Sequence, residues 1–250
     1  MTDILVLWDV DGTLVDAAGV GREAMGRAFI RVFGQEPTSW PGMGGRTDRA
    51  ILLDLLRLNG VAYREDELET YRAAAEEAFL ELLDDLAARG RALPGALDAL
   101  TALRDRPVVQ SLLTGNIRRI AEAKMHTFGL VEHLDLDIGA YGWSHPVRAY
   151  LVDTARTRAA ERHGRTYPGR STVLVGDTPL DVEAALAAGA SVVGVATGRY
   201  SHEELVDAGA HVVLTDLTST DEVVEAIQEV ARSAEPGPHK GSTARPSCAS

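Results

Sequence analysis

The chain has 250 residues, 45% hydrophobic and 25% charged, with a formal net charge of -12. That size and composition allow one large globular domain or two smaller ones, and the acidic balance argues against a protein that holds nucleic acid or an anionic membrane by bulk charge. The single cysteine, Cys248, excludes a disulfide framework and a cysteine-based zinc site.

Asp3 stands where a secretory signal would carry positive charge, and no apolar run is long enough to span a bilayer. A soluble, cytoplasmic protein is expected. Residues 4–8 are almost all apolar and read as a strand covered on both faces. Helical spacing then fills most of 19–90. The predicted helices are 19–33, 47–58 starting at the capping candidate Thr47, and an acidic, alanine-rich stretch over 64–89. No strand interrupts them, so 17–90 is expected to be an all-helical insertion.

After Pro94-Gly95 the pattern changes. Helix 95–104, strand 108–113, helix 117–128, strand 134–139, helix 147–162 and strand 172–176 follow. Helix 179–188, strand 191–195, helix 202–208, strand 211–214 and helix 220–232 complete the series. Strands alternating with helices imply crossovers and a parallel sheet covered on both sides, an α/β core over 1–16 and 91–232. Residues 233–250 are rich in Pro, Gly and Ser without periodicity and are expected to form a disordered tail.

In an open α/β sheet, ligands bind beyond the carboxyl ends of the strands. Three predicted strands end in polar clusters: Asp9-Val10-Asp11-Gly12-Thr13, Thr114-Gly115-Asn116, and Asp177-Thr178-Pro179-Leu180-Asp181. If the strands are parallel neighbours, these clusters share one rim. Gathered acids raise one another's pKa unless a cation is present. Hard oxygen donors with no cysteine favour Mg2+, and magnesium beside hydroxyl and N–H donors suits phosphoryl transfer. Each piece has a plainer alternative. Asp11-Gly12 fits a simple turn, Thr114 a strand-end cap, and Thr178 with Asp181 a capping box with Pro179 at the first helical position. Asp9 has no such alternative, because an ionised side chain ending a buried strand needs a partner.

DVDGT at 9–13, TGN at 114–116 and GDTPLD at 176–181 resemble motifs I, II and IV of the haloacid dehalogenase-like (HAD) hydrolase superfamily. The layout is similar to its phosphoglycolate phosphatase and β-phosphoglucomutase branch. The helical stretch between motifs I and II resembles its C1-type cap. The resemblance implies a Rossmann-like core and hydrolysis of a small phosphomonoester. Asp9 would be the nucleophile and Asp11 the acid/base. Mg2+ would be held by Asp9, the Asp11 backbone carbonyl and Asp177. Thr114, Gly115 and the N–H groups after Asp9 would bind phosphoryl oxygens, with Asn116 orienting the site and Asp181 supporting it. An acid at the position of Asp11 favours phosphate esters over carbon–halogen cleavage, since halide needs no proton to leave.

The superfamily usually carries a lysine between motifs II and IV. The only lysine in that interval is Lys124, expected at the flank of helix 117–128 as a snorkelling surface residue. Arg148, at the start of helix 147–162, is the expected replacement. A cation in a helix's first turn opposes the macrodipole and calls for anions opposite it. His145 reads as an ordinary loop histidine. Within SWPGMGGRTDR, 39–49, Arg46 or Arg49 is positioned to meet an anionic substrate tail. Two other readings share these motifs: a sugar phosphomutase of similar fold, and a binding or regulatory protein that has lost catalysis with its lysine.

Overall fold

The computed structural model describes residues 4–232; the expected C-terminal tail, 233–250, lies outside the described residues. The first strand, β1 (Ile4–Trp8), is followed by the short β2 (Val15–Asp16). Four helices come next: α1 (Val20–Phe33), α2 (Asp48–Leu58), α3 (Glu65–Leu80) and α4 (Leu83–Arg89). β3 (Arg91–Ala92) then pairs antiparallel with β2, so the helical stretch leaves and re-enters through a two-stranded neck. The remainder alternates: α5 (Ala96–Arg104), β4 (Val108–Thr114), α6 (Arg118–Thr127), β5 (Ala140–Tyr141) and α7 (Ala149–His163). It ends with β6 (Thr172–Gly176), α8 (Pro179–Ala187), β7 (Ser191–Val195), α9 (His202–Asp207), β8 (Val212–Leu214) and α10 (Thr220–Arg232).

Six strands form one parallel sheet in the order β5-β4-β1-β6-β7-β8. This is the α/β architecture that the alternation predicts. Strand side chains alternate faces, and β1 shows the result. Val6 and Trp8 belong to an apolar cluster with residues of α5, α6 and α10. Leu5 and Leu7 belong to another with α7, α8 and α9. Both faces are therefore covered, which is why β1 reads as a continuous apolar run. The first cluster continues into the helical insertion through Phe29, Tyr71 and Phe79, all fully buried. Each such side chain contributes roughly 2–3 kcal/mol by leaving water. Among the described residues, no helix is long and apolar enough to cross a membrane.

Two predicted elements differ. The helix expected over 64–89 breaks at Glu81–Leu82, where Leu82 leaves helical geometry (φ -102°, ψ 14°) while Leu82 and Leu86 stay buried. The strand expected at 134–139 is a turn. Asp135 accepts the Asp137 N–H on its own side chain, and Gly139 N–H donates back to the Leu136 carbonyl. Local Asx bonding of this kind competes with sheet pairing, so the edge strand begins only at Ala140.

Candidate active site

β1 lies between β4 and β6, so the three polar clusters meet at adjacent strand ends. Asp9 follows β1 directly and keeps its backbone in the sheet through a 2.9 Å bond to the Val175 carbonyl. Thr114 ends β4, and Asp177 follows the last residue of β6. Carboxylate oxygens of Asp9, Asp177 and Asp181 lie within 4.8 Å of one another, and all three residues are buried. Asp181 is held by the predicted capping box: it accepts the Thr178 N–H (3.1 Å) and hydroxyl (2.7 Å), while Thr178 Oγ1 accepts the Asp181 N–H.

Arg148 reaches this cluster. Its Nη2 lies 2.7 Å from Asp9 Oδ1 and 2.5 Å from Asp181 Oδ1, and it donates to the Leu113 carbonyl. Nη1 donates to the Gly45 carbonyl. The anions that the dipole argument called for are thus Asp9 and Asp181. Burial opposes the charge of Arg148, but Asp181 and Asp9 hold its pKa above the ordinary value. One guanidinium does not balance three acids. Burial raises Asp9 to about 6 against the lowering effect of Arg148. Burial, then Asp9 and Asp181, raise Asp177 to about 8, with a Thr13 hydrogen bond opposing.

This donor set fits a hard divalent cation: it is all oxygen, buried and under-neutralised. Asp181 is engaged by Thr178 as well as Arg148, and Asp9 and Asp177 could offer carboxylate oxygens to such a cation. The fit is tight around Asp177. Gly12 adopts φ 87°, and a β-carbon there or at Gly198 would overlap the Asp177 carboxylate. Thr197 fixes the Gly12 carbonyl with a 2.6 Å bond.

The expected surface position of Lys124 is overturned. It is buried, and its Nζ lies 2.6 Å from both Asp11 carboxylate oxygens and 2.6 Å from Asn116 Oδ1. Asn116 Nδ2 donates to Asp11 as well. The spacing places Lys124 at the flank of the stripe that covers the sheet, and the structure sets it within that stripe. Ile117, Ala121 and Lys124 share one side of α6, and the first two are buried; a lysine in a buried stripe needs a carboxylate. Replacing Lys124 with Met is expected to cost about 1–3 kcal/mol, near the lower end because Asp11 is partly solvated. Urea unfolding reads this directly.

Asp48 was also missed. It is buried, its Oδ2 accepts the Ile117 N–H at 2.8 Å, and its backbone N–H donates to the Gly115 carbonyl at 2.7 Å. Burial raises its pKa to about 6, against the Ile117 bond and the charge of Lys124. Arg46 lines the cavity over the site, but its guanidinium is engaged by Asp54 (2.7 Å) and the Gly42 and Ala50 carbonyls. It therefore braces its own segment. Arg49 pairs with Glu65. His145 accepts the Val147 N–H and packs on Tyr150, as a loop histidine should. The cavity measures about 620 Å³. Arg22, stacked on Trp40, and Arg199 also line it, and among the described residues neither has a carboxylate partner.

The family model for haloacid dehalogenase-like hydrolases matches residues 6–186. The Dickeya dadantii protein named Probable phosphatase IndB is 27% identical over 241 residues, 92% of this chain and 96% of that one. A phosphoglycolate phosphatase of Pseudomonas putida is 28% identical over 222 residues, 85% of this chain and 76% of its own. The crystal structure of CbbY from Rhodobacter sphaeroides in complex with phosphate shares the fold, with a TM-score of 0.66 at 22% identity over 87% of this chain and 96% of that one.

Proposed function

The chain belongs to the haloacid dehalogenase-like hydrolase family, and from that premise we propose that it is a Mg2+-dependent phosphatase of small phosphomonoesters. The observation that carries the reading is the meeting of Asp9, Asp177 and Arg148 beside Thr114 at one strand edge. Asp9 Oδ attacks phosphorus and displaces the ester oxygen, giving an aspartyl-phosphate and an alcohol that takes its proton from Asp11. Water then attacks phosphorus, its proton passes to Asp11, and inorganic phosphate leaves as Asp9 is regenerated. Thr114, the Gly115 N–H and the N–H groups after Asp9 receive the phosphoryl oxygens. Arg148 offsets the repulsion between Asp9 and the incoming dianion. Mg2+, held by Asp9, Asp177 and the Asp11 carbonyl, supplies positive charge to the phosphoryl oxygens when bound.

Lys124 and Asn116 hold the Asp11 carboxylate in place by hydrogen bonds, which orients it for its part in both steps. In this reading residues 17–90 are the cap over a core of 1–16 and 91–232, and they exclude water from the site. Arg22 and Arg199 take the substrate-facing part expected of Arg46. The expected setting is the cytoplasm and the expected partner a small phosphorylated metabolite.

A screen of sugar, glycolate and nucleotide phosphates, each with Mg2+ or EDTA, tests the reading. Phosphate release that EDTA abolishes is expected. Full activity in EDTA, or an isomerised sugar phosphate without released phosphate, would contradict it.

A further inference from the structure

The first residue of α2 sends its side chain out of its own helix. Thr47 already caps α2, since its Oγ1 accepts the Ala50 N–H. The carboxylate of Asp48 instead crosses to the start of α6, 69 residues along the chain, and accepts the Ile117 N–H. Ile117 is the N-cap of α6 and supplies no side-chain acceptor of its own. A buried carboxylate there satisfies an otherwise unpaired helix N–H and meets the positive end of the helix dipole. The Asp48 backbone N–H holds the Gly115 carbonyl from the same side. Residues 115–117 are thereby gripped twice by one residue of the helical insertion.

The surrounding contacts allow little slack. A β-carbon on Gly115 would overlap the Arg46 carbonyl, and one on Gly45 would overlap Thr178 Oγ1. Thr47 Oγ1 donates to the Pro146 carbonyl (3.1 Å), and Arg148 donates to the Gly45 carbonyl (3.2 Å). The 44–48 loop is thus seated against the strand ends of β4 and β6 and against the start of α7. α6 in turn carries Lys124, which holds Asp11.

We propose that Asp48 is a positioning residue for the phosphoryl chemistry: carried by the insertion, it sets the backbone of 115–117, so that the phosphoryl-binding loop and α6 are correctly placed only while the 44–48 loop is docked. The proposal rests on the phosphatase reading for its consequence in rate, but its structural content stands apart from it. Asp48 touches neither phosphorus nor metal. It acts through the Gly115 N–H that stabilises the transition state, so its loss lowers kcat more than it raises KM. Asparagine keeps an acceptor oxygen of the same reach; glutamate keeps the charge but adds a methylene to a buried position.

The test compares wild type, Asp48→Ala, Asp48→Asn and Asp48→Glu by amide hydrogen exchange over 114–118 and by hydrolysis of p-nitrophenyl phosphate with Mg2+. Asp48→Ala is expected to speed exchange of that segment about 10-fold or more and to lower kcat by roughly 10- to 100-fold with KM changed less than about 3-fold. Asp48→Asn restores both, and Asp48→Glu restores neither. If Asp48→Ala does not fold, the Asn and Glu variants carry the comparison. Unchanged exchange in Asp48→Ala, or an Asn variant as impaired as the Glu variant, would overturn the proposal. Should wild type release no phosphate, the phosphatase reading fails, while the exchange measurement still decides whether Asp48 sets the loop.

Discussion

Replacing Asp9 with Asn is expected to reduce turnover by on the order of 10⁴-fold or more, the scale on which an enzyme loses its nucleophile. The amide fits the same space but cannot form an acyl phosphate at a useful rate. The fold should survive. Burial of the Asp9 charge is unfavourable enough to lift its pKa to about 6 despite Arg148 at 2.7 Å, so removing that charge does not weaken the metal-free protein. Arg148 keeps Asp181 as a partner. A thermal melt alongside the assay separates lost chemistry from lost structure. The same pKa places a bound on pH dependence. Asp9 attacks only when ionised, and a bound cation can lower its pKa but not raise it. The acid limb of kcat/KM therefore lies at or below about 6 as far as Asp9 sets it.

Replacing Asp177 with Asn should have opposite effects on activity and on metal-free stability. Activity is lost with the metal site. In EDTA near pH 8, however, the variant is expected to be more stable than wild type by about 1–3 kcal/mol, several degrees in Tm for a protein of this size. A carboxyl with a folded pKa above its unfolded one binds more protons folded than unfolded between those values. Folding stability therefore falls as pH rises from the ordinary carboxylate value, about 3.9, through the value of about 8 that burial, Asp9 and Asp181 impose on Asp177. Asp9 and Asp48, raised to about 6, add to the fall at the acid end of that window. Metal-free wild type should lose Tm steadily from pH 5 to pH 8, and the variant less. Added Mg2+ should raise Tm in wild type and leave the variant unchanged. A wild-type Tm that rises with pH in EDTA would contradict this electrostatic account.

The sheet was legible in the sequence because its strands are short apolar runs punctuated by helices of regular period. The segment 134–139 was not, because Asp135 and Asp137 turn the chain with local bonds that apolar spacing does not register. Asp9 was legible because a charge at the end of a buried strand has no ordinary explanation. Arg148 was legible because a cation at a helix start is unfavourable without anions. Lys124 was hidden by its type: a long amphipathic side chain has a surface explanation ready, and only the depth of α6 against Asp11 removes it. The partner of Arg46 was hidden for the converse reason. The glycine-rich setting of Arg46 suggested a ligand, while its partner Asp54 lies two helical turns further on, within the same segment. Asp48 escaped notice because an acid in a helix's first turn is already accounted for by the dipole, and no local pattern announces a bond to Ile117.

The central claim is that phosphorus becomes bonded to Asp9. The Asp11→Asn variant isolates that step, since p-nitrophenolate leaves without an acid but the second step still needs a base. Acid quenching of this variant during reaction with p-nitrophenyl phosphate and Mg2+, followed by peptide mass mapping, should find a phosphoryl adduct on Asp9. The adduct should be absent when Asp9 is also replaced by Asn. Phosphate released with no adduct on Asp9, or an adduct on another side chain, would contradict the account.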